Sequence, residues 1–397
     1  MIRDIVSLAS SSVVGQVINL LVLLIVARIV SVDVYGGYAV CLTLVGYVSV
    51  LAGAKYHHVV FTGSKEESSK IVAGSYLFTC LLSVVGFVGL IFAKFFLNKL
   101  SEVSLVDLIL ITFAGFLSAS NLFYYYLCLR EDKLKTVFYS RLIPPLVGGF
   151  GMVSAAFFIG NRTLLVFFYT VTTLVSYYIL KKNFVSKWSI PELISILKKY
   201  KSFPLFLLPA GVLEVFNSSF LLLATADLFG VQVSAAFGLY LRLVGSPQGL
   251  IVSSVGDTIR KKIVSLPKGH HSRILLRTGI ALLGVALLGS VAIYLFANYG
   301  LVPLLGSKWG YAGQYFLWML PVFVLSFVVP SLSVTLYVYN GQKYDLFLQV
   351  ITALMYGLIY YWFKSDLSLF VLGFVTANCI KYIVELLLCV KCLKEQE

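Results

Sequence analysis

Long apolar stretches recur a dozen times along this 397-residue chain, and its few lysines and arginines gather in every second gap between them. A helix needs ~20 apolar residues to cross the ~30 Å hydrocarbon core of a bilayer. Stretches of that kind run over 10–30, 36–54, 71–93, 105–129, 137–160, 163–180, 203–226, 230–255, 274–298, 311–338, 345–363 and 367–390. Charged residues fill only 12% of positions and apolar ones 59%, against about 25% charged in soluble domains. So little charge cannot cover a water-exposed surface. The expected fold is all-α and polytopic, with about twelve transmembrane helices.

Orientation follows from the cations. The N-terminal segment and every second gap after it, on the same side, hold most of them, among them Lys65, Lys70, Lys181, Lys182, Lys198 and Lys199, whereas the other gaps and the helix ends facing them hold only Arg28, Lys94, Lys99, Arg162, Lys308 and Lys364. The positive-inside rule then puts both termini in the cytoplasm. The net charge of +14 sits in short loops against an anionic inner leaflet, so it implies membrane lipids as partners and no nucleic acid. The first apolar stretch is too long for a signal-peptide core and lacks a small-residue cleavage site, so it is expected to stay as a span. Cys41, Cys80, Cys128, Cys379, Cys389 and Cys392 fall within spans or on the cytoplasmic side, where disulfides are not expected. The spacing Cys389-x-x-Cys392 has no second pair nearby and reads as coincidence.

The longest gap divides the chain into an N-terminal six-helix bundle (1–180), a cytoplasmic amphipathic linker (181–202) and a C-terminal six-helix bundle (203–397). Within the linker Ser189 and Glu192 have capping-box spacing, and Ile190, Leu193, Ile194 and Leu197 recur at helical period opposite Lys198 and Lys199. That pattern predicts a helix on the inner membrane surface. Pro144, Pro145, Pro204, Pro209, Pro247, Pro321 and Pro330 fall in or beside spans. Each removes a backbone donor and invites a bend.

Charges inside spans are the strongest functional signal. Glu214 and Arg242 both fall near the expected midplane, on neighbouring antiparallel spans. An ionised group there costs at least about 2.5–3.5 kcal/mol, so each should face the protein interior or a wet cavity. Two readings stand: a structural ion pair, or an arginine that presents its planar fork of donors to an anionic substrate while Glu214 holds or releases it. Around Arg242 the face Ala235, Gly238, Gly245, Ser246 and Gly249 is nearly free of bulk, which suits close helix packing or room for a ligand. Gln16 and Asn19 form a polar stripe with Ser12 on the first span, and Asn378, Lys381 and Glu385 form one on the last. These can bond between helices or line a cavity. Arg28 and Arg141 lie near span ends and can snorkel to water. The pairs His57-His58 and His270-His271 have no metal-ligand pattern and read as solvated loop residues. No Walker loop, HExxH or Gly-x-Ser-x-Gly occurs, so neither an ATP-driven pump nor a hydrolase is expected, and no cofactor or metal is implied.

The run Tyr200-Lys-Ser-Phe-Pro204 with Leu205-Phe-Leu-Leu-Pro209 resembles the start of the seventh helix in bacterial polysaccharide (O-antigen) flippases of the multidrug/oligosaccharidyl-lipid/polysaccharide (MOP) exporter superfamily. Leu228-Phe-Gly230, Tyr240-Leu-Arg-Leu243 and Pro247 continue in the family's order. Ala27-Arg28 followed by Val34-Tyr-Gly36 is similar to its N-terminal signature, and Gly306-Ser-Lys-Trp309-Gly-Tyr-Ala312-Gly to the segment leading into its tenth helix. The chain departs after the second span, where Lys55-Tyr-His-His58 replaces an Arg-Tyr-Glu-like run, and in Glu214.

The resemblance implies two six-helix bundles forming a V around a cationic cavity in the bacterial inner membrane. It implies a polyprenyl-diphosphate-linked oligosaccharide as substrate, flipped outward by alternating access for surface polysaccharide (lipopolysaccharide O-antigen) biosynthesis. Arg242 matches the family's cavity arginine on the eighth helix and Arg28 its arginine on the first, with Lys381 and Arg141 as further cations. Glu214 and Glu385 are then candidates for ion coupling or charge partners, and Gln16, Asn19 and Asn378 for cavity-lining polar groups. A polysaccharide polymerase and glycosyltransferases would be working partners. The rivals are an ion-coupled small-molecule antiporter of multidrug type on the same fold, which would prefer a negatively lined cavity, and a membrane glycan polymerase, which typically carries a long basic external loop absent here.

Overall fold

The computed structural model describes residues 2–100, 102–182, 184, 188–265, 271–338 and 342–394, with backbone alone at helical positions 2–12, 261, 262, 264, 265, 337, 338, 342 and 394. The chain is an all-helical, multi-pass membrane protein. Among the described residues ten helices are long and apolar enough to cross a membrane, and a bent pair makes an eleventh. The remaining predicted stretch falls on the first helix, whose described apolar part is Val13–Ile29. The chain divides into two compact units, Met1–Val215 and Phe216–Glu397.

The first unit contains α1 (Ile2–Ile29), α2 (Val32–Gly53), α3 (Lys65–Phe95), α4 (Leu105–Arg130), α5 (Leu134–Phe158), α6 (Arg162–Lys181), the short α7 (Ile190–Lys199) and the opening turns of α8 (Phe203–Phe229). Helix starts are written into the sequence. Ser31 and Asn161 cap α2 and α6, and Ser64/Glu67, Ser104/Asp107 and Ser189/Glu192 form capping boxes. Each cap satisfies backbone donors that a helix leaves open, at a gain of about 1 kcal/mol. Packing relies on glycine. A Cβ at Gly15 would lie 2.5 Å from the Arg141 carbonyl oxygen, and one at Gly148 would lie 1.7 Å from Thr172 Oγ1. So α1 meets α5, and α5 meets α6, at backbone distance, where van der Waals contact substitutes for the hydrophobic drive that lipid cannot supply.

The linker helix α7 forms where expected, but its apolar side is divided. Leu193 and Ile196 are buried against the first unit, with Leu193 pressed on Gly74 of α3, while Ile190 and Ile194 stay exposed. Lys70–Glu192 (2.8 Å) and Lys199–Glu67 (2.6 Å) tie it to α3, and the Tyr56 hydroxyl donates to the Leu197 carbonyl. The linker helix is therefore docked on α3 through Glu192 and Lys199, with Ile190 and Ile194 of its apolar side left exposed.

The second unit contains the rest of α8, then α9 (Val231–Arg260), α10 (His271–Leu305), α11 (Ala312–Trp318), α12 (Leu320–Val338), α13 (Gln342–Trp362) and α14 (Leu367–Lys394). The expected single span 311–338 is bent by 52° between α11 and α12. Among the described residues three helices open into π-turns, Phe203–Leu207, Leu241–Gly245 and Phe296–Gly300. Each precedes a proline: Pro209, Pro247 or Pro303. A proline cannot donate to the carbonyl four residues back and its ring crowds that carbonyl, here Leu205, Leu243 or Tyr299; the widened turn absorbs the conflict.

Candidate functional site

Arg242 sits on the central π-turn of α9, half-buried, with Pro247 one turn on. The small face around it is of two kinds. Ala235 through Tyr240 are buried, whereas Ser246 and Gly249 are exposed, and a Cβ at Gly245 or Gly249 would meet nothing within 4 Å. Below the arginine the small residues serve packing; beside it they leave open space. Gln248 holds the adjoining stretch to α12 by donating to the Ser326 hydroxyl at 2.7 Å.

The polar stripe of α14 lies in the same unit. Asn378 is buried: it accepts from the Tyr356 hydroxyl at 3.0 Å and donates to the Phe374 carbonyl at 2.8 Å. One turn on, Lys381 is half-buried with its ammonium 4.9 Å from the Tyr382 ring centre. Glu385 is buried, within electrostatic reach of Lys381 and Asp345 and beside the Ser333 hydroxyl. Tyr382 is in electrostatic reach of both Glu385 and Tyr240, two residues before Arg242. The fold thus sets Tyr382 of α14, on the same helix as Lys381 and Glu385, within electrostatic range of Tyr240 on α9. Next to them Asn217 donates to the Gln349 carbonyl at 3.1 Å, and Gln349 donates to Asp345 at 3.2 Å. The side-chain oxygens of Asn217 and Gln349 are buried without a bonding partner. Sequence reasoning missed this group, which spreads over α8 and α13 and has no spacing of its own.

In the first unit Arg141 is half-buried, hydrogen-bonded to the Tyr125 hydroxyl and 5.3 Å from that ring's centre. Gln16, half-buried, follows the Gly15 contact with Arg141, while Asn19 is exposed. Arg28 is exposed near the far end of α1, about 20 Å from Gly15 at ~1.5 Å per residue, so the fold does not bring it to Arg141. Glu214 is an exposed residue of α8 near the end of this unit.

Two further arginines carry weight that their positions in gaps concealed. Arg162 donates to Asp107 through Nε and Nη2 at 3.1 and 2.8 Å and to the Glu102 carbonyl at 2.7 Å. Asp107 is fully buried. The pair joins α4 to α6 beside Gly37 of α2, whose Cβ would strike the Arg162 side chain at 2.6 Å. Arg130 donates to the carbonyls of Val60 and Gly63 and to the Ser68 hydroxyl, fastening the loop between α2 and α3. The Ser104-x-x-Asp107 spacing is the signal that could have placed Asp107 at a helix start.

The histidines need correction. His57 is buried, stacked on Tyr126 at 5.3 Å and edge-on to Phe123, and His58 is half-buried and stacked on Phe203. Burial first, then the charges of His58 and Lys55, push the His57 imidazole down to about 3. His271 is also buried, while His270 lies outside the described residues. The polar loop that was expected to solvate His57 and His58 is folded over α4 instead.

No protein-family model matches the sequence, and no curated protein does. Solved structures do. An inward-facing multidrug resistance MATE family transporter of the MOP superfamily superposes with a TM-score of 0.67 at 15% identity, over 99% of this chain and 98% of that one. The lipid II flippase MurJ, in an inward closed conformation, superposes at 0.67 and 14%, over 97% and 87%. A MOP superfamily transporter from Pyrococcus furiosus, described as having a binding pocket of reverse polarity, superposes at 0.60 and 13%, over 99% and 96%. Likeness over whole chains at such identities speaks for architecture, and the architecture of this chain is the all-helical fold of MOP-superfamily transporters.

Proposed function

We propose that this protein is a transporter that moves a polyprenyl-diphosphate-linked oligosaccharide from the cytoplasmic to the outer leaflet of the bacterial inner membrane, for surface polysaccharide such as O-antigen. The observation that carries the reading is Arg242, on a π-turn whose neighbours Gly245 and Gly249 front open space. A diphosphate that leaves water needs a fixed counter-charge at depth, and a guanidinium supplies one that binds bidentately and keeps its charge at any working pH. Lys381, Arg141 and Arg28 add positive charge, against Glu214 and Glu385 as groups for ion coupling or charge exchange. The likeness to a lipid II flippase supports a lipid-linked substrate. Alternating access would move 1–180 and 203–397 as the two halves, joined by 181–202, with polymerase and glycosyltransferases acting before and after.

A second reading, an ion-coupled antiporter of small molecules, draws on the MATE-like fold and on the buried Glu385. Depletion in the native cell separates the two. Flipping requires lipid-linked oligosaccharide to accumulate on the cytoplasmic leaflet with loss of surface glycan; unchanged glycan favours the antiporter. Arg242→Ala at normal abundance is expected to lower surface glycan output at least about tenfold, with Arg242→Lys in between. Full output from Arg242→Ala would remove the proposed role.

A further inference from the structure

Among the ten candidate spans α10 is the most apolar and the least covered by protein, with 17% of its most apolar window buried. One face packs on α12, where Leu275 clusters with Leu332 and a Cβ at Gly289 would lie 2.9 Å from Phe323. The other is open, with Leu276 65% and Ile280 62% exposed. On that open face, one turn apart, stand Arg273 and Arg277, both exposed. Among the described residues no carboxylate pairs with either. By contrast Arg260, exposed on α9, lies 4.0 Å from Asp257.

Counted from His271, Arg277 lies about 9 Å along the helix at ~1.5 Å per residue. That is within the lipid-facing surface, and a guanidinium there must reach up to the phosphates of the leaflet. We infer that Arg273 and Arg277 form a site for an anionic phospholipid of the cytoplasmic leaflet. The two guanidiniums clasp the headgroup phosphate, and the acyl chains lie along Leu276, Ile280, Leu283 and Leu287. Charge complementarity selects the occupant: two cations one turn apart, without a protein anion, set in an apolar surface that only lipid covers. Arg277 falls inside a predicted span where sequence reasoning found no role for it. The inference is independent of the transported substrate.

Native mass spectrometry of the full chain in detergent tests it, with phosphatidylglycerol and phosphatidylcholine of the same chain length added separately. Wild type is expected to retain phosphatidylglycerol in preference to phosphatidylcholine. Loss of the preference should run to about fivefold per arginine removed, in Arg277→Gln and further in Arg273→Gln/Arg277→Gln. Arg260→Gln should keep it. Equal retention of the two lipids by wild type, or undiminished phosphatidylglycerol retention by a folded Arg277→Gln single variant, would overturn the inference.

Discussion

His57 loses its water to Tyr126, Phe123 and the turn that carries it, and its imidazole stays neutral down to about 3. In the unfolded chain it would take a proton near its ordinary value of 6.5. The folded state therefore binds fewer protons between those two values. Stability is complete above about 6.5 and declines as pH falls toward 3, with a limiting slope of about 1.4 kcal/mol per pH unit. Thermal unfolding in detergent between pH 7.5 and 5 is expected to show this fall, and His57→Phe to flatten it; an identical pH profile in the variant would refute the assignment. Asp107 and Arg162 mark the opposite case, charges kept inside by pairing. Arg162→Ala would leave a fully buried carboxylate without its partner, and a destabilisation of about 3–5 kcal/mol is expected, read as a lowered melting temperature. Neither residue stands out in the sequence, since a histidine in a basic loop and an arginine in a gap both look solvated. What buries them is the path of the chain between helices.

Helix ends and helix contacts have different origins. The capping boxes at Ser64/Glu67, Ser104/Asp107 and Ser189/Glu192 are local, set by residues three apart, and can be read directly from sequence. The three π-turns are half local: a proline in a span announces a conflict, but its resolution by a widened turn rather than a kink depends on how neighbouring helices hold both ends. Glycine contacts are wholly tertiary. At Gly148 the added methyl of alanine would overlap Thr172 Oγ1 and approach the Phe168 carbonyl at 3.1 Å. Thr172 can turn away but the carbonyl cannot, so Gly148→Ala is expected to cost about 1–3 kcal/mol, visible as a lower melting temperature. Gly245→Ala, which meets nothing, should leave the melting temperature unchanged. If both behave alike, α5 and α6 do not pack as closely as described.

For the molecule as a whole, the asymmetry of lysine and arginine sets orientation, and both termini are expected in the cytoplasm. A green fluorescent protein fused at the C-terminus should fluoresce and alkaline phosphatase fused there should stay inactive; the reverse pattern would turn the chain over and place α7 outside. The sites belong to the same scale. Asn378, Lys381 and Glu385 are one stripe in the sequence because they share a helix, but only folding sets Tyr382 within electrostatic reach of Tyr240 on α9.

Composition alone decided that this protein lives in a bilayer, since no arrangement of so few charges could cover a surface in water, and periodic apolar length decided where each span lies. Both are sums over many residues and tolerate local error. The tertiary structure decided which polar groups are buried, which small residues touch and which front open space, and where a span bends. Those depend on partners far along the chain, and an apolar helix carries little in its own sequence to say which of its faces meets lipid and which meets protein.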